Sequence, residues 1–204
     1  MSRLVAFGCS YTYGHGLDDC ITDRGHPGPY PSKFAWPQLL ADKLNLTCVN
    51  MGQPGSSNKR IWKSIMDFDF RANDKVFVMW SNPNRHCIFY DNKTIEDIGP
   101  WIKTKVSRVF YKLIFSEYDQ MNDLNLKMSH VKYHLDSLGI DHYQHPIRDW
   151  SVERFARSVK TFNNITPFSY TSDMYPKAAD NMHPGEEAHA FYAEEVYKIL
   201  METK

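Results

Sequence analysis

A serine hydroxyl attacks an acyl carbonyl only when a base takes its proton, and a histidine serves as that base when a carboxylate fixes its tautomer. This chain offers the three residue types in two segments far apart in sequence. Ser10 lies in Gly8-Cys9-Ser10-Tyr11-Thr12-Tyr13-Gly14, and Asp180 and His183 lie in Asp180-Asn181-Met182-His183-Pro184-Gly185. Pro184 drives His183 out of the helical region and suits the first turn of a following helix, so His183 is expected in an extended position just before that helix. Asp180 precedes it by one turn's length and can reach the ring. Gly8 and Gly14 flank Ser10 and leave room for a substrate to approach the backbone. Taken singly, Ser10 also reads as a turn serine, and Asp180 with His183 as a helix-capping pair.

The elements that must position these residues follow a rhythm. Leu4-Val5-Ala6-Phe7 is a short continuous apolar run stopped by Gly8, as expected of a central parallel strand. A Gly- and Pro-rich loop over 15–33 leads to a helix over 34–44, with Trp36, Leu39, Leu40 and Leu44 on one face and Pro37 in its first turn. Thr47 to Met51 forms a second strand, ending in Gly52-Gln53-Pro54-Gly55. The next helix, capped by Ser56 or Ser57, buries Ile61, Trp62, Ile65 and Met66. Lys75 to Trp80 is a third buried strand ending in Ser81-Asn82-Pro83-Asn84-Arg85. Three strand–loop–helix units in succession argue for an α/β fold with a parallel sheet, whose site lies at the carboxyl ends of the strands.

The middle of the chain carries weaker signals. Residues 86–99 read as a β-excursion or a loop, and 101–119 and 121–138 as helices, with Val106, Val109, Phe110, Leu113 and Ile114 on one face of the first. A fourth short strand is expected around 139–143, a helix over 151–162, loop over 163–182, and a last helix from about Pro184 to Met201. The whole reads as a single domain, 1–204, with a divergent insertion at about 86–178.

Composition sets outer bounds. Lys+Arg and Asp+Glu are 24 each, for a formal net charge of zero, which gives no support to nucleic-acid or anionic-membrane binding. Hydrophobic residues are 42% of the chain, too many for disorder. No apolar run approaches the length of a membrane span, and the N-terminus lacks a signal-peptide pattern, so a cytoplasmic location is expected. Cys9, Cys20, Cys48 and Cys87 are scattered without zinc-like spacing and are expected as free thiols.

The loop segments carry a family resemblance. Gly8-Cys9-Ser10-Tyr11-Thr12-Tyr13-Gly14 resembles the first sequence block of the SGNH (GDSL-like) hydrolases, commonly Gly-Asp-Ser-x-Thr-x-Gly. Asn50-Met51-Gly52-Gln53-Pro54-Gly55 resembles the second block, Trp36-Pro37 the helix between them, and Asp180-Asn181-Met182-His183-Pro184 the last block, with His189 and Ala193 on its helix. The resemblance covers roughly 3–85 and 178–200. It implies a flavodoxin-like three-layer α/β/α sandwich and hydrolysis of ester-type bonds without a metal or organic cofactor. Ser10 is then the nucleophile, and the oxyanion hole is formed by the N–H groups of Ser10 and Gly55 with an Asn side chain. Two positions depart from the pattern. Cys9 stands where an Asp is usual, and the third block, usually Gly-x-Asn-Asp, reads Ser81-Asn82-Pro83-Asn84, which places Pro83 at the oxyanion Asn and leaves Asn82 or Asn84 as the donor.

Several other residues admit a sharp and a plain reading. Cys9 beside Ser10 is expected as a small buried thiol, not a nucleophile. Arg85 either steadies an anionic substrate or forms an exposed salt bridge, the ordinary role of a surface arginine. His130 and His134 stand at i, i+4 but lack the Glu and the third ligand of a zinc motif, and His142 and His145 are no stronger. The aromatic residues between 101 and 143 are expected mostly in the core. The sequence thus points to a serine esterase acting on carboxylic esters, O-acetyl groups on carbohydrate among the candidates, through Ser10, His183 and Asp180. The alternatives are a binding or structural module with weakened catalysis, and an O-acyltransferase.

Overall fold

The computed structural model describes residues 2–91, 94–147, 168 and 173–202. Among the described residues four parallel strands form the central sheet: β1 (Arg3–Phe7), β2 (Thr47–Asn50), β3 (Lys75–Trp80) and β6 (Asp141–Pro146), in the order β2-β1-β3-β6. In register, Val5 faces Val49 and Val76, and Val78 faces Gln144. A separate antiparallel hairpin, β4 (His86–Phe89) with β5 (Ile95–Ile98), follows β3.

Side chains alternate across a strand, and here both faces are apolar. Leu4, Ala6, Phe77 and Met79 turn to one side. There they meet Trp36, Leu40 and Ala41 of α2 (Trp36–Leu44) and Ala188, Tyr192, Val196 and Leu200 of α6 (Glu186–Glu202). Val5, Phe7, Val76, Val78 and Trp80 turn to the other. There they meet Ile61 and Ile65 of α3 (Asn58–Met66) and Leu124, Met128, Val131 and Leu135 of α5 (Glu117–Ser137). The result is the expected three-layer sandwich, a parallel sheet with helices on both sides. The amino ends of β1 and β3 are fastened by Arg3, whose Nε and Nη2 bind the two carboxylate oxygens of Asp74 at 2.8 and 2.6 Å. Asp74 is 1% exposed, so the pair staples the pole opposite the strand carboxyl ends.

Some expectations need correction. Residues 101–119 do not form one helix. A short α4 (Lys105–Val109) runs directly into a π-helix (Phe110–Ile114), and α5 starts afresh at Glu117 with Ser116 capping it. Of the residues expected on one face, Phe110 is buried, but Val109, Leu113 and Ile114 are exposed. The widened π turn shifts the period away from 3.6 and takes these side chains off the core face. Trp101, Tyr118 and Tyr133 are likewise exposed, not core. The fourth sheet strand is longer than expected and begins at Asp141. The helix expected over 151–162 lies outside the described residues, as does most of the loop expected over 163–182.

Two histidines, His189 on α6 and His145 packed against that helix, are held neutral. Burial pushes His145 down to about 4 and His189 down to about 3, the latter also through the nearby His183. His189 Nδ1 accepts the Trp36 backbone N–H at 3.1 Å and so ties α6 to the start of α2. Both rings bind a proton in the unfolded chain at a pH where the folded protein excludes it. Their contribution is complete above about pH 6.5 and is lost as the pH falls toward 4. Lowering the pH from about 7.5 to about 5 is therefore expected to cost about 2 kcal/mol per histidine. A melting temperature that does not change over that interval would contradict this account.

Candidate active site

The carboxyl ends of β1, β2 and β3 carry three loops, and hydrogen bonds lace them together. After Phe7 the chain turns at Gly8 and Cys9 into a single helical turn, α1 (Ser10–Tyr13), with Ser10 at its first position and buried. A Cβ at Gly8 would lie 2.0 Å from Thr12 Oγ1, so the glycine allows the turn to fold back on its own strand rather than admitting a substrate. Gly14 ends the turn in the left-handed region at φ +81°, where its N–H bonds the Ser10 carbonyl.

The second loop is pinned to this turn by Asn50. Its Nδ2 donates to the Thr12 carbonyl at 2.7 Å, and its Oδ1 accepts the Gly52 N–H at 2.9 Å. The Gln53 N–H also donates to the Gly8 carbonyl. Gly55 sits at φ +79° with open space where a side chain would be. The third loop is pinned to the second by the buried Asn58, which donates to the Ser81 carbonyl at 2.9 Å and accepts the Ser81 N–H at 2.7 Å, as a neighbouring strand would. Asn82 and Asn84 lie beyond. Asn82 Oδ1 accepts the Asn84 N–H at 3.1 Å, and the Asn84 carbonyl accepts the Tyr111 hydroxyl of the π-helix.

The last loop closes on the first from the other end of the chain. The Ala179 N–H donates to the Gly16 carbonyl at 3.0 Å. A Cβ on Gly16 would lie 2.9 Å from the Asp180 carboxylate, and its φ of +95° suits glycine, so this residue makes room for the acid. Asp180 Oδ1 accepts the N–H groups of Met182 and His183, both at 2.9 Å, and Oδ2 lies 2.5 Å from His183 Nδ1. The carboxylate thus holds a proton on Nδ1 and leaves Nε2 as the basic nitrogen. Burial alone would raise the Asp180 pKa, but those N–H groups and the imidazole outweigh it and hold the carboxyl below its usual range. Burial lowers the His183 pKa; Asp180 opposes this, while the charges of His15 and Arg85 add to it, and the net direction is down.

The structure brings Ser10, Asp180 and His183 to one locality. The His183 ring lies edge-on to Tyr11, the residue after Ser10, with centroids 5.8 Å apart, and beside His15 at 4.4 Å. Among the described residues no hydrogen bond joins Ser10 Oγ to His183. Cys9 is fully buried, as expected. His130 accepts the Trp62 indole N–H instead of facing a second ligand. Among the described residues one group of three potential metal ligands is close-packed, His15 with Asp180 and His183, their ligand atoms within 4.8 Å of one another. A cation there would compete with the Asp180–His183 hydrogen bond. No helix among the described residues is long and apolar enough to cross a membrane.

Sequence reasoning missed Asn50, Asn58, Gly16 and Tyr111. Asn50 and Asn58 lie inside the recognised loop segments, but nothing in their spacing distinguishes a loop clamp from a turn former. Arg85 differs from its ordinary role. It is half-buried and forms no ion pair among the described residues, lying instead over the Trp101 ring with Cζ 4.8 Å from the centroid. A cavity of about 430 Å³ is lined by Asn82, Asn84, Tyr111 and Phe115, among others, and Ser10 and His183 are not part of its wall.

No protein-family model and no curated protein sequence matches the chain. Solved structures do. The chain aligns over 97% of its length, and 98% of the other, with a lipolytic protein of the G-D-S-L family from Desulfitobacterium hafniense, at 13% identity and a TM-score of 0.56. An acetyl xylan esterase from the rumen bacterium Butyrivibrio proteoclasticus aligns over 99% of this chain but only 64% of its own length, at 12% identity and a TM-score of 0.60. A psychrotrophic esterase from Pseudoalteromonas aligns over 98% and 97%, at 9% identity and a TM-score of 0.55. The chain therefore has the fold of the SGNH (GDSL-like) hydrolases.

Two substitutions probe this geometry without assuming a reaction. Replacing Asp180 with Asn removes the group that raises the His183 pKa, so the ring should titrate at a still lower pH than in the wild type, measured by NMR of the imidazole. Gly16→Ala should destabilise the fold by about 1–3 kcal/mol in thermal or denaturant unfolding, because it forces a strained φ and crowds Asp180.

Proposed function

We propose that the protein is a serine esterase that cleaves carboxylic esters, with short acyl esters of carbohydrates as the first substrate class to test. The observation that carries this reading is the His183 imidazole, held through Nδ1 by a buried Asp180 and packed against Tyr11, the residue after Ser10, and against His15. In this mechanism His183 Nε2 takes the Ser10 proton as Oγ attacks the ester carbonyl. Asp180 steadies the resulting imidazolium, which then protonates the leaving alcohol, and water hydrolyses the acyl-enzyme by the same route. The Ser10 N–H, free of an intrahelical acceptor at the first position of α1, and the Gly55 N–H supply oxyanion donors. Asn82 is the better third donor. The Asn84 N–H occupies its Oδ1 and so turns Nδ2 away from the turn, whereas no hydrogen bond orients the Asn84 side chain among the described residues. The carbohydrate preference rests on the esterases of similar fold, several of which are named as acting on acetylated xylan.

The test is hydrolysis of p-nitrophenyl acetate and of acetylated xylo-oligosaccharides. Ser10→Ala should abolish turnover, and Asn82→Ala should lower kcat about 100- to 1,000-fold, with a smaller effect for Asn84→Ala. Because His183 must be neutral to act as base and its pKa lies below the ordinary 6.5, kcat/KM should stay high to below pH 6.5 and fall only on further acidification. Equal rates for wild type and Ser10→Ala would remove Ser10 from the mechanism.

The substituted third loop, with Pro83 at the usual oxyanion position, supports a second reading, a binding module of weakened catalysis. Absence of fluorophosphonate labelling at Ser10, with glycan binding retained, would favour it.

A further inference from the structure

Arg85 forms no ion pair among the described residues. Its backbone N–H closes the turn after β3 onto the Asn82 carbonyl at 3.1 Å, and its guanidinium is held over the Trp101 indole. Nε and Nη1 are both buried, and neither has a hydrogen-bond partner among the described residues. The carboxylate that senses its charge is Asp97, whose Oδ2 pairs with Arg60 at 2.7 Å and whose Oδ1 is buried without a hydrogen-bond partner among the described residues, so two guanidiniums share one acid. An arginine cannot relieve such a position by deprotonating, and a desolvated charge is costly unless an anion completes its hydrogen bonds. The same turn carries Asn82, and His183 lies within electrostatic reach of Arg85. The unsatisfied charge is therefore carried by the loop proposed to hold the oxyanion, and its field reaches His183.

We propose that Arg85, supported by Trp101, is a substrate-recognition residue that binds a carboxylate on the ester, so that the preferred substrate is an acylated acidic sugar such as a uronate. This rests on the esterase reading and narrows it. A carboxylate fits better than a phosphate. Its planar pair of oxygens matches the in-plane donors of a guanidinium lying over a ring, and the nearby Asp97 and the Glu117 of the adjoining cavity wall would repel a dianion more strongly than a monoanion.

The experiment compares acetate release from O-acetylated methyl glucuronoside and from O-acetylated methyl glucoside. The wild type should favour the uronate by about tenfold or more in kcat/KM, and the preference should shrink as salt is raised from about 50 to about 500 mM. Arg85→Gln should bring the ratio of the two rates close to one. Arg85→Lys, which keeps the charge but not the fork, should give an intermediate ratio and covers the case in which the Gln variant does not fold. Good turnover with no uronate preference in the wild type, or with the same ratio in the variants, would overturn the role of Arg85 and leave the esterase reading intact. If no ester is hydrolysed, the esterase reading fails, and calorimetric titration of wild type and Arg85→Lys with glucuronate and glucose decides the arginine separately. Binding of glucuronate but not glucose, weakened in the variant, supports the anion site; equal or absent binding of both rejects it.

Discussion

The hydrogen bond between Asp180 and His183 is the interaction on which the functional reading depends. It converts a surface imidazole into a ring of fixed tautomer and direction. The carboxylate can make it because its other oxygen is saturated by two backbone N–H groups from the same turn, which hold the acid ionised in a largely buried position. That arrangement is local, but it has meaning only next to Ser10, and a second tie supplies the proximity. The Ala179 N–H reaches the Gly16 carbonyl, and the missing side chain of Gly16 leaves the space that Asp180 fills. Two glycines near the amino end thus serve the site by giving up space to other parts of the chain. Gly8 lets the Ser10 turn fold onto its strand, and Gly16 makes room for Asp180 from the far end of the chain.

The sheet explains why these loops meet at all. Parallel strands in the order β2-β1-β3 place three consecutive carboxyl ends side by side, so each loop needs only one or two hydrogen bonds to be fixed relative to its neighbour. Asn50 and Asn58 provide them. Each uses both ends of its amide on backbone groups and thereby continues the sheet's hydrogen bonding into loops that have no strand geometry. The opposite pole is secured by the Arg3–Asp74 ion pair, so the elements that hold the fold together and those that shape the site are spatially separate.

Much of this was legible in the sequence because the relevant signals were short-range. Short apolar runs identified β1, ended by Gly8, and β3, ended by Ser81, Trp36-Pro37 marked the first turn of α2, and Asp180 to Pro184 marked a histidine shortly ahead of the last helix. What escaped depended on tertiary context. The apolar residues from Val106 to Ile114 fit a helical stripe, but a π turn changes their direction and leaves Leu113 and Ile114 in solvent. Arg85 was assigned the ordinary role of a surface arginine because a sequence does not reveal that its potential partner, Asp97, is held by Arg60. The clamps made by Asn50 and Asn58 were invisible for a similar reason, since asparagine is equally at home in any turn.

The π-helix has a further consequence for how this loop region can change. A π turn accommodates one more residue than the α-helix it interrupts. Losing a single residue there would restore regular winding and re-aim the side chains of the turn itself. Tyr111 would swing away from the Asn84 carbonyl, and the wall of the cavity beside the third loop would be rebuilt without any change to the sheet. The shape of that recess is thus governed by segment length as much as by side-chain identity, which gives descendants of this chain a route to altered ligand preference through a one-codon deletion.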